Sequence, residues 1–187
     1  FDDMDDWTKF SSRKHAPWAA DGLKAIGEQI GSEKAKIGFV GSPWTICMYL
    51  LSGGTGDKDF NKARALISSN PAESEKLLMK IGEVVGDLLA DQVNYGGADV
   101  VQIFDTWAGL LSEEDYQNIS LPATKKAIQV FRERANVFTP LIHYAKGSGH
   151  LHNQIRTLDI QGLSLDWRDN MMANRDNYGE SLAFQGN

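Results

Sequence analysis

The sequence predicts an α/β protein forming part of a (β/α)8 barrel, with about five of the eight βα units present. Three observations predict it. Short apolar runs at residues 36–40, 100–103, 138–143, 162–165 and 181–184 read as buried strands, and stretches of helical periodicity separate them. Each run gives way to a polar or glycine-bearing loop, the pattern of parallel strands joined by right-handed crossovers. A complete barrel takes about 250 residues, against 187 here. The chain ends on the loop after its last strand, so roughly three units are read as absent. The competing reading is a complete five-stranded doubly wound domain.

The elements follow in order. Residues 1–16 are polar and acidic and read as a loosely structured lead-in to a single partial-barrel domain spanning residues 1–187. Residues 19–30 carry Leu23, Ile26 and Ile30 at helical spacing and stop at Gly31. The first strand, residues 36–40, turns at Gly41-Ser42-Pro43 into a helix over 44–51 that ends at Gly53-Gly54. A helix over 60–68 precedes the clearest one. There Asn70 reads as N-cap, Pro71 as first residue and Glu73 as the acid of a capping box. Leu77, Leu78, Ile81, Val84, Val85, Leu88, Leu89 and Val93 then form a wide apolar stripe, ended by Gly96-Gly97. Ser112 caps a helix with Glu113, Glu114 and Asp115 at its positive end. Further helices are read over 122–134, 150–157 and 171–177, with a glycine-rich loop at 144–149.

The stretch VQIFDTWAG, residues 101–109, centres the expected site. It reads as a buried strand whose end delivers Asp105, Thr106 and Trp107 to a mouth, and ligands of α/β folds bind at the carboxyl ends of strands. Asp105 lies on the opposite side of the extended segment from Thr106, so it is expected to brace the loop. Asp166, at another strand end, is read the same way. Lys146-Gly147-Ser148-Gly149 offers backbone N–H groups to an anion such as phosphate, but a tight barrel turn needs glycines anyway, and the structural reading is preferred. His150 and His152 point to different faces of a helix and are read as surface or capping residues.

Composition narrows the classes. Net charge is −6 and the pI about 5.2, which argues against nucleic-acid binding, since that depends on Lys and Arg neutralising phosphates. No apolar run reaches the ~20 residues of a membrane helix, and the acidic start FDDMDDW is not a signal peptide. A single cysteine, Cys47, forms no internal disulfide and no thiolate cage. It points to a reducing, cytoplasmic compartment and reads as a small buried hydrophobe.

Five motifs, GFVGSPWTICMYLLSGG (38–54), VQIFDTWAG (101–109), LIHYAKGSGH (141–150), GLSLDW (162–167) and LAFQGN (182–187), resemble the uroporphyrinogen decarboxylase family in order and spacing. The resemblance covers roughly residues 18–187. It implies a (β/α)8 barrel, a homodimer when full length, and a place in the cytoplasmic branch of porphyrin and haem biosynthesis. The implied reaction removes carbon dioxide from the four acetate side chains of uroporphyrinogen III to give coproporphyrinogen III, with no metal and no organic cofactor. By the same resemblance Tyr49 matches a substrate-contacting tyrosine, and Phe104 matches an aromatic lining the pocket wall. Thr106 matches a hydroxyl residue that is serine in many members, and its added methyl stiffens χ1. Without the resemblance, Tyr49 would read as a core tyrosine.

The family's arginine-rich signature, its catalytic aspartate and a late histidine have no counterpart in this chain. The resemblance implies that the arginines meet substrate carboxylates, and that the aspartate stabilises the cation formed on protonating a pyrrole carbon. Enzymes lower barriers by roughly 8–23 kcal/mol, and one preorganised donor supplies roughly 3–4 kcal/mol. Tyr49 and Thr106 therefore cannot carry the reaction, and the chain by itself is expected to bind weakly without turnover. Two other readings stand beside this one. A cobalamin-linked methyltransferase of the same superfamily would place a His-x-Cys zinc pair where this chain has Tyr144-Ala145-Lys146, and zinc sites need three or four ligands. A non-catalytic truncated copy would leave open strand edges and uncovered helix faces.

Overall fold

The computed structural model describes residues 10–53 and 59–186. Five strands form one parallel sheet in sequence order: β1 (Ile37–Gly41), β2 (Val100–Asp105), β3 (Leu141–Ala145), β4 (Gly162–Ser164) and β5 (Ala183–Gln185). A doubly wound sheet reverses its strand order and places helices on both faces. Here every step goes the same way, as in a barrel wall, and the doubly wound alternative falls.

Register sorts the strand residues. Gly41, Phe104, Tyr144, Ser164 and Gln185 align across neighbouring strands and share one face. Their chain neighbours Val40, Ile103, Asp105, His143, Ala145 and Leu163 point the other way and are buried. That second face carries the core. Against it lie α3 (Pro43–Ser52), α5 (Pro71–Asn94) and α7 (Leu121–Arg134). Most of the apolar stripe read on α5 is buried: Leu77, Leu78, Ile81, Val85, Leu89 and Val93 belong to the core, while Leu88 packs against it half-buried and Val84 is half-buried at its margin.

α5 and α7 approach closely because α5 carries Gly82 and Gly86 one turn apart. A Cβ on Gly86 would stand 2.5 Å from Ala127 O and 2.7 Å from Val130 Cβ; on Gly82 it would stand 2.7 Å from Ala123 O. Arg134, in the last turn of α7, pairs with Asp87 of α5. Asp87 also accepts from the backbone N–H of Ser12 at 2.8 Å. Ser12 opens α1 (Ser12–His15), so the described end of the expected lead-in, residues 10–16, includes a helical turn anchored on α5. Residues 1–9, Gly54 and Asn187 lie outside the described residues.

Helix α2 (Trp18–Ile30) ends at Gly31, as expected. Ser42 and Ser112 cap α3 and α6 (Glu113–Asp115) by accepting from Thr45 N and Asp115 N. A π-turn over Tyr116–Ser120 then leads into α7.

Three local expectations are corrected. Asn70 does not cap α5: its side chain donates to Leu66 O and closes α4 (Asn61–Ser69) instead. Glu73 pairs with Lys76 and makes no capping box. β3 starts at Leu141, not residue 138, and runs on to Ala145. Pro140 has no N–H to give to a ladder, and Phe138 lies exposed outside the sheet.

Candidate active site

All five strands run in one direction, so their carboxyl ends gather at one rim. β2 is the longest, and its last residue, Asp105, is fully buried on the helix side. Its carboxylate accepts hydrogen bonds from Ser42 Oγ at 2.7 Å, Thr45 Oγ1 at 3.2 Å and Ser120 Oγ at 3.5 Å. Burial pushes this carboxyl up to about 6, against the pull of those hydroxyls. Asp105 thus braces three elements behind the rim, as its side of the strand predicted.

Phe104 and Thr106 turn the other way. Phe104 packs edge-on against Phe39 (centroids 5.8 Å apart) and Tyr144 (5.6 Å), an aromatic ladder along the inner face of the sheet. Phe39 is 64% exposed, an apolar surface open to a ligand. A cleft of about 240 Å³ beside it is lined by Phe104, Tyr144, Ser164, Asp166, Trp167 and Gln185. Thr106 lines a second cleft of about 170 Å³ with Trp107, Gly109, Lys146, Gly147 and Arg168. The two clefts are bridged by an ion pair, Arg168 Nη1 to Asp166 Oδ2 at 2.7 Å.

Tyr49 lies on α3 and lines neither cleft. Its ring meets Phe60 (5.5 Å) and Trp107 (6.3 Å) edge-on, and it is 38% exposed. The structure therefore places Phe104 and Thr106 at adjoining clefts and connects Tyr49 to them through Trp107.

Asp166 is held firmly. It accepts from Gly147 N at 2.5 Å, Arg168 N at 2.8 Å and the Arg168 guanidinium. Burial alone would raise its carboxyl, but these hydrogen bonds outweigh it and keep the group below the ordinary carboxylate range. The Gly147 N–H, counted in sequence as an anion donor, is thus taken by the chain's own carboxylate, and Ser148 Oγ donates to Ala145 O. The loop is structural, as preferred. Burial first, and then the Asp166 charge, raises the Tyr144 phenol, which remains a protonated donor near neutral pH.

One histidine differs from expectation. His152 is buried, not on the surface: Nδ1 meets Asn174 Oδ1 at 2.9 Å, and Nε2 lies 3.7 Å from Asp169 Oδ2. His143 sits behind the sheet with neither ring nitrogen hydrogen-bonded among the described residues. Burial lowers it to about 4. His150 caps a neighbouring segment through Leu111 O at 2.9 Å.

The motif reading did not single out Tyr144, Ser164, Gln185 or Arg168. The signal for the first three was period-two alternation, since the register aligns them in one row with Phe104. Tyr144 falls in the glycine-rich loop of the sequence reading, but β3 runs on to Ala145 and takes it into the sheet. For Arg168 the signal was its place two residues after Asp166.

A family model described as Uroporphyrinogen decarboxylase (URO-D) matches residues 1–187. The chain belongs to the uroporphyrinogen decarboxylase family. The match takes in residues 1–17, which the five motifs did not reach. The uroporphyrinogen decarboxylase of Pseudomonas aeruginosa strain LESB58 is 35% identical over 171 residues, covering 91% of this chain and 48% of that protein. Uroporphyrinogen decarboxylase 2, chloroplastic, of Arabidopsis thaliana is 34% identical over 179 residues, covering 96% and 45%. The chain therefore spans about half the length of the curated relatives it matches. A methyltransferase from Methanosarcina mazei shares the fold, with a TM-score of 0.71 and 20% identity over 90% of this chain and 47% of that one. Among the described residues of this family member, no helix is long and apolar enough to cross a membrane, and no three His, Cys, Asp or Glu side chains group to hold a metal ion.

Proposed function

We propose that this chain is part of a uroporphyrinogen decarboxylase. It contributes one wall of the cleft in which acetate side chains of uroporphyrinogen III lose carbon dioxide, giving coproporphyrinogen III. The observation that carries the reading is the row formed by Phe39, Phe104 and Tyr144 beside the Thr106 cleft. A macrocycle of four pyrroles with acidic arms suits such a surface: aromatic edges against its body and polar donors at its rim.

Phe104 supports the macrocycle, Thr106 donates its hydroxyl to a carboxylate, and Tyr49 does the same from α3. In the reaction, protonation of a pyrrole carbon creates the cation that accepts the electron pair of the breaking C–C bond. Carbon dioxide leaves, a proton added to the methylene completes a methyl group, and the ring carbon gives up the proton it gained, which restores the pyrrole. The acid for that step is not assigned to any residue of this chain. Binding and catalysis therefore separate: the 187-residue chain holds the macrocycle weakly and does not turn over. The same reading assigns a homodimer when full length and a cytoplasmic location, with no metal or organic cofactor.

The test is anaerobic incubation of the purified chain with freshly reduced uroporphyrinogen, with products oxidised and separated, beside a fluorescence titration with uroporphyrin. Binding without coproporphyrin is expected. Turnover at the rate of a complete enzyme would refute the division of labour, and no binding would refute the substrate.

The likeness to the Methanosarcina mazei methyltransferase keeps a second reading in view. Zinc analysis separates the two, since stoichiometric zinc in the purified chain would favour methyl transfer. A truncated copy without catalytic purpose would show itself by melting early and sedimenting as aggregate.

A further inference from the structure

The cleft beside Thr106 contains two cations, of which Arg168 is shared with Asp166 and Lys146 meets no carboxylate among the described residues. Lys146 Nζ lies 6.0 Å from the centre of the Trp107 ring, and the Arg168 guanidinium stacks 4.6 Å from the centre of Trp167. Both side chains line the same cleft as Thr106. Lys146 is brought there by contact between two rim loops, since a Cβ on Gly109 would stand 2.6 Å from Lys146 O and 2.8 Å from Gly147 O, while Arg168, on the loop after β4, is brought there by Asp166, which accepts from both Gly147 N and the Arg168 guanidinium. Glycine lets the loop after β2 lie directly against the loop after β3.

We propose that Lys146 and Arg168 form a carboxylate clamp at the mouth, receiving one acidic arm of the substrate beside the Thr106 hydroxyl. The proposal deepens the tetrapyrrole reading and rests on it for the identity of the ligand.

The charge count favours a carboxylate. Asp166 offsets one of the two cations, which leaves one positive charge for one monoanionic arm. The chain as a whole carries −6, so a positive mouth is a local arrangement and not a general basic character. Arg168 gives Nη1 to Asp166, and among the described residues no further carboxylate takes its guanidinium. Its remaining N–H donors suit a planar O–C–O group. Lys146 pairs with no carboxylate among the described residues and supplies a point charge on a flexible stem. Because Asp166 already holds the Gly147 N–H, anion recognition here falls to side chains.

The test uses two probes on the whole chain: uroporphyrin, a macrocycle with acidic arms, and mellitate, a benzene ring with carboxylates and no macrocycle. Calorimetric titrations compare the native chain with Lys146→Gln, with Lys146→Gln/Arg168→Gln and with the charge-keeping Lys146→Arg. Uroporphyrin affinity is expected to fall about tenfold or more in the double variant, to fall less in Lys146→Gln, and to stay within about threefold in Lys146→Arg. The loss should shrink as salt is raised. Both positions are exposed, and Lys146→Gln disturbs no ion pair, so a folding defect in the double variant leaves the single variant as the decisive measurement. Equal uroporphyrin binding by native chain and Lys146→Gln/Arg168→Gln overturns the clamp and leaves the tetrapyrrole reading intact. Mellitate binding that is lost in the double variant, with no uroporphyrin binding by any form, upholds the clamp and overturns the tetrapyrrole reading. Failure of both probes to bind the native chain overturns the clamp.

Discussion

The carboxylate of Asp105 accepts a hydrogen bond from Ser42 Oγ at 2.7 Å, which locks the tip of β2 to the N-cap of α3. Ser42 does two jobs at once, since the same oxygen accepts from Thr45 N at 3.0 Å. The functional rim is thus positioned from behind by a buried acid that faces away from the clefts.

That acid gives the first prediction. Asp105 titrates near 6 when folded, against 3.8 ordinarily. The folded state keeps a proton that the unfolded chain has lost, so this group's contribution falls as pH rises through the window, by about 3 kcal/mol. His143 acts oppositely: about 4 when folded against 6.5, so its contribution is full above 6.5 and lost as pH falls towards 4, again about 3 kcal/mol. In the native chain the two slopes offset each other. Urea midpoints of Asp105→Asn should climb from about pH 4 to 6, and those of His143→Gln should decline. Flat profiles in both variants would remove the assignment.

The α5–α7 contact gives the second. Gly86→Ala forces a methyl against Ala127 O and Val130 and should cost about 1–3 kcal/mol. Gly22→Ala, inside α2 with nothing within 4 Å of the new Cβ, should instead stabilise by about 0.5–1 kcal/mol. Chemical denaturation of the pair measures both, and similar behaviour of the two would show that close approach is not the cause.

Cys47 should be inert. It is buried, and burial pushes its thiol up to about 12, so almost no thiolate exists near neutral pH. A disulfide reagent should label it only in proportion to the unfolded fraction across a urea titration. Rapid labelling of the native chain would contradict the burial.

The assigned donors are tested by isosteric loss. Thr106→Val and Tyr49→Phe should each weaken uroporphyrin binding about tenfold or more, the usual worth of a hydrogen bond to a charged group. Thr106→Ser should bind at least as well as the native chain, since it keeps the hydroxyl and removes the methyl. Unchanged affinity in Thr106→Val would take the hydroxyl out of the site.

Much of this was legible in the chain. Ser112 and the α5 stripe announce themselves through local chemistry, and Asp105 takes its bracing side from strand alternation alone, whereas the capping role of Ser42 is hidden in what reads as a turn. Asn70 misled because its amide can serve either helix it separates, and here it donates to Leu66 O, four residues back at the end of α4. His152 misled because whether a helix face is covered depends on the helix Met171–Tyr178, whose Asn174 lies on a separate element.

By itself the sequence determined the succession of strands and helices, the family to which they belong, and the face that α5 buries. These follow from periodicity, capping chemistry and motif order, all of which act over a few residues. Only the tertiary structure decided that Phe104, Tyr144, Ser164 and Gln185 share one row, that Asp166 takes the Gly147 N–H, and that Lys146 and Arg168 meet beside Thr106. Those relations join separate strands and loops, and strand register and loop packing, which no local pattern encodes, bring them together.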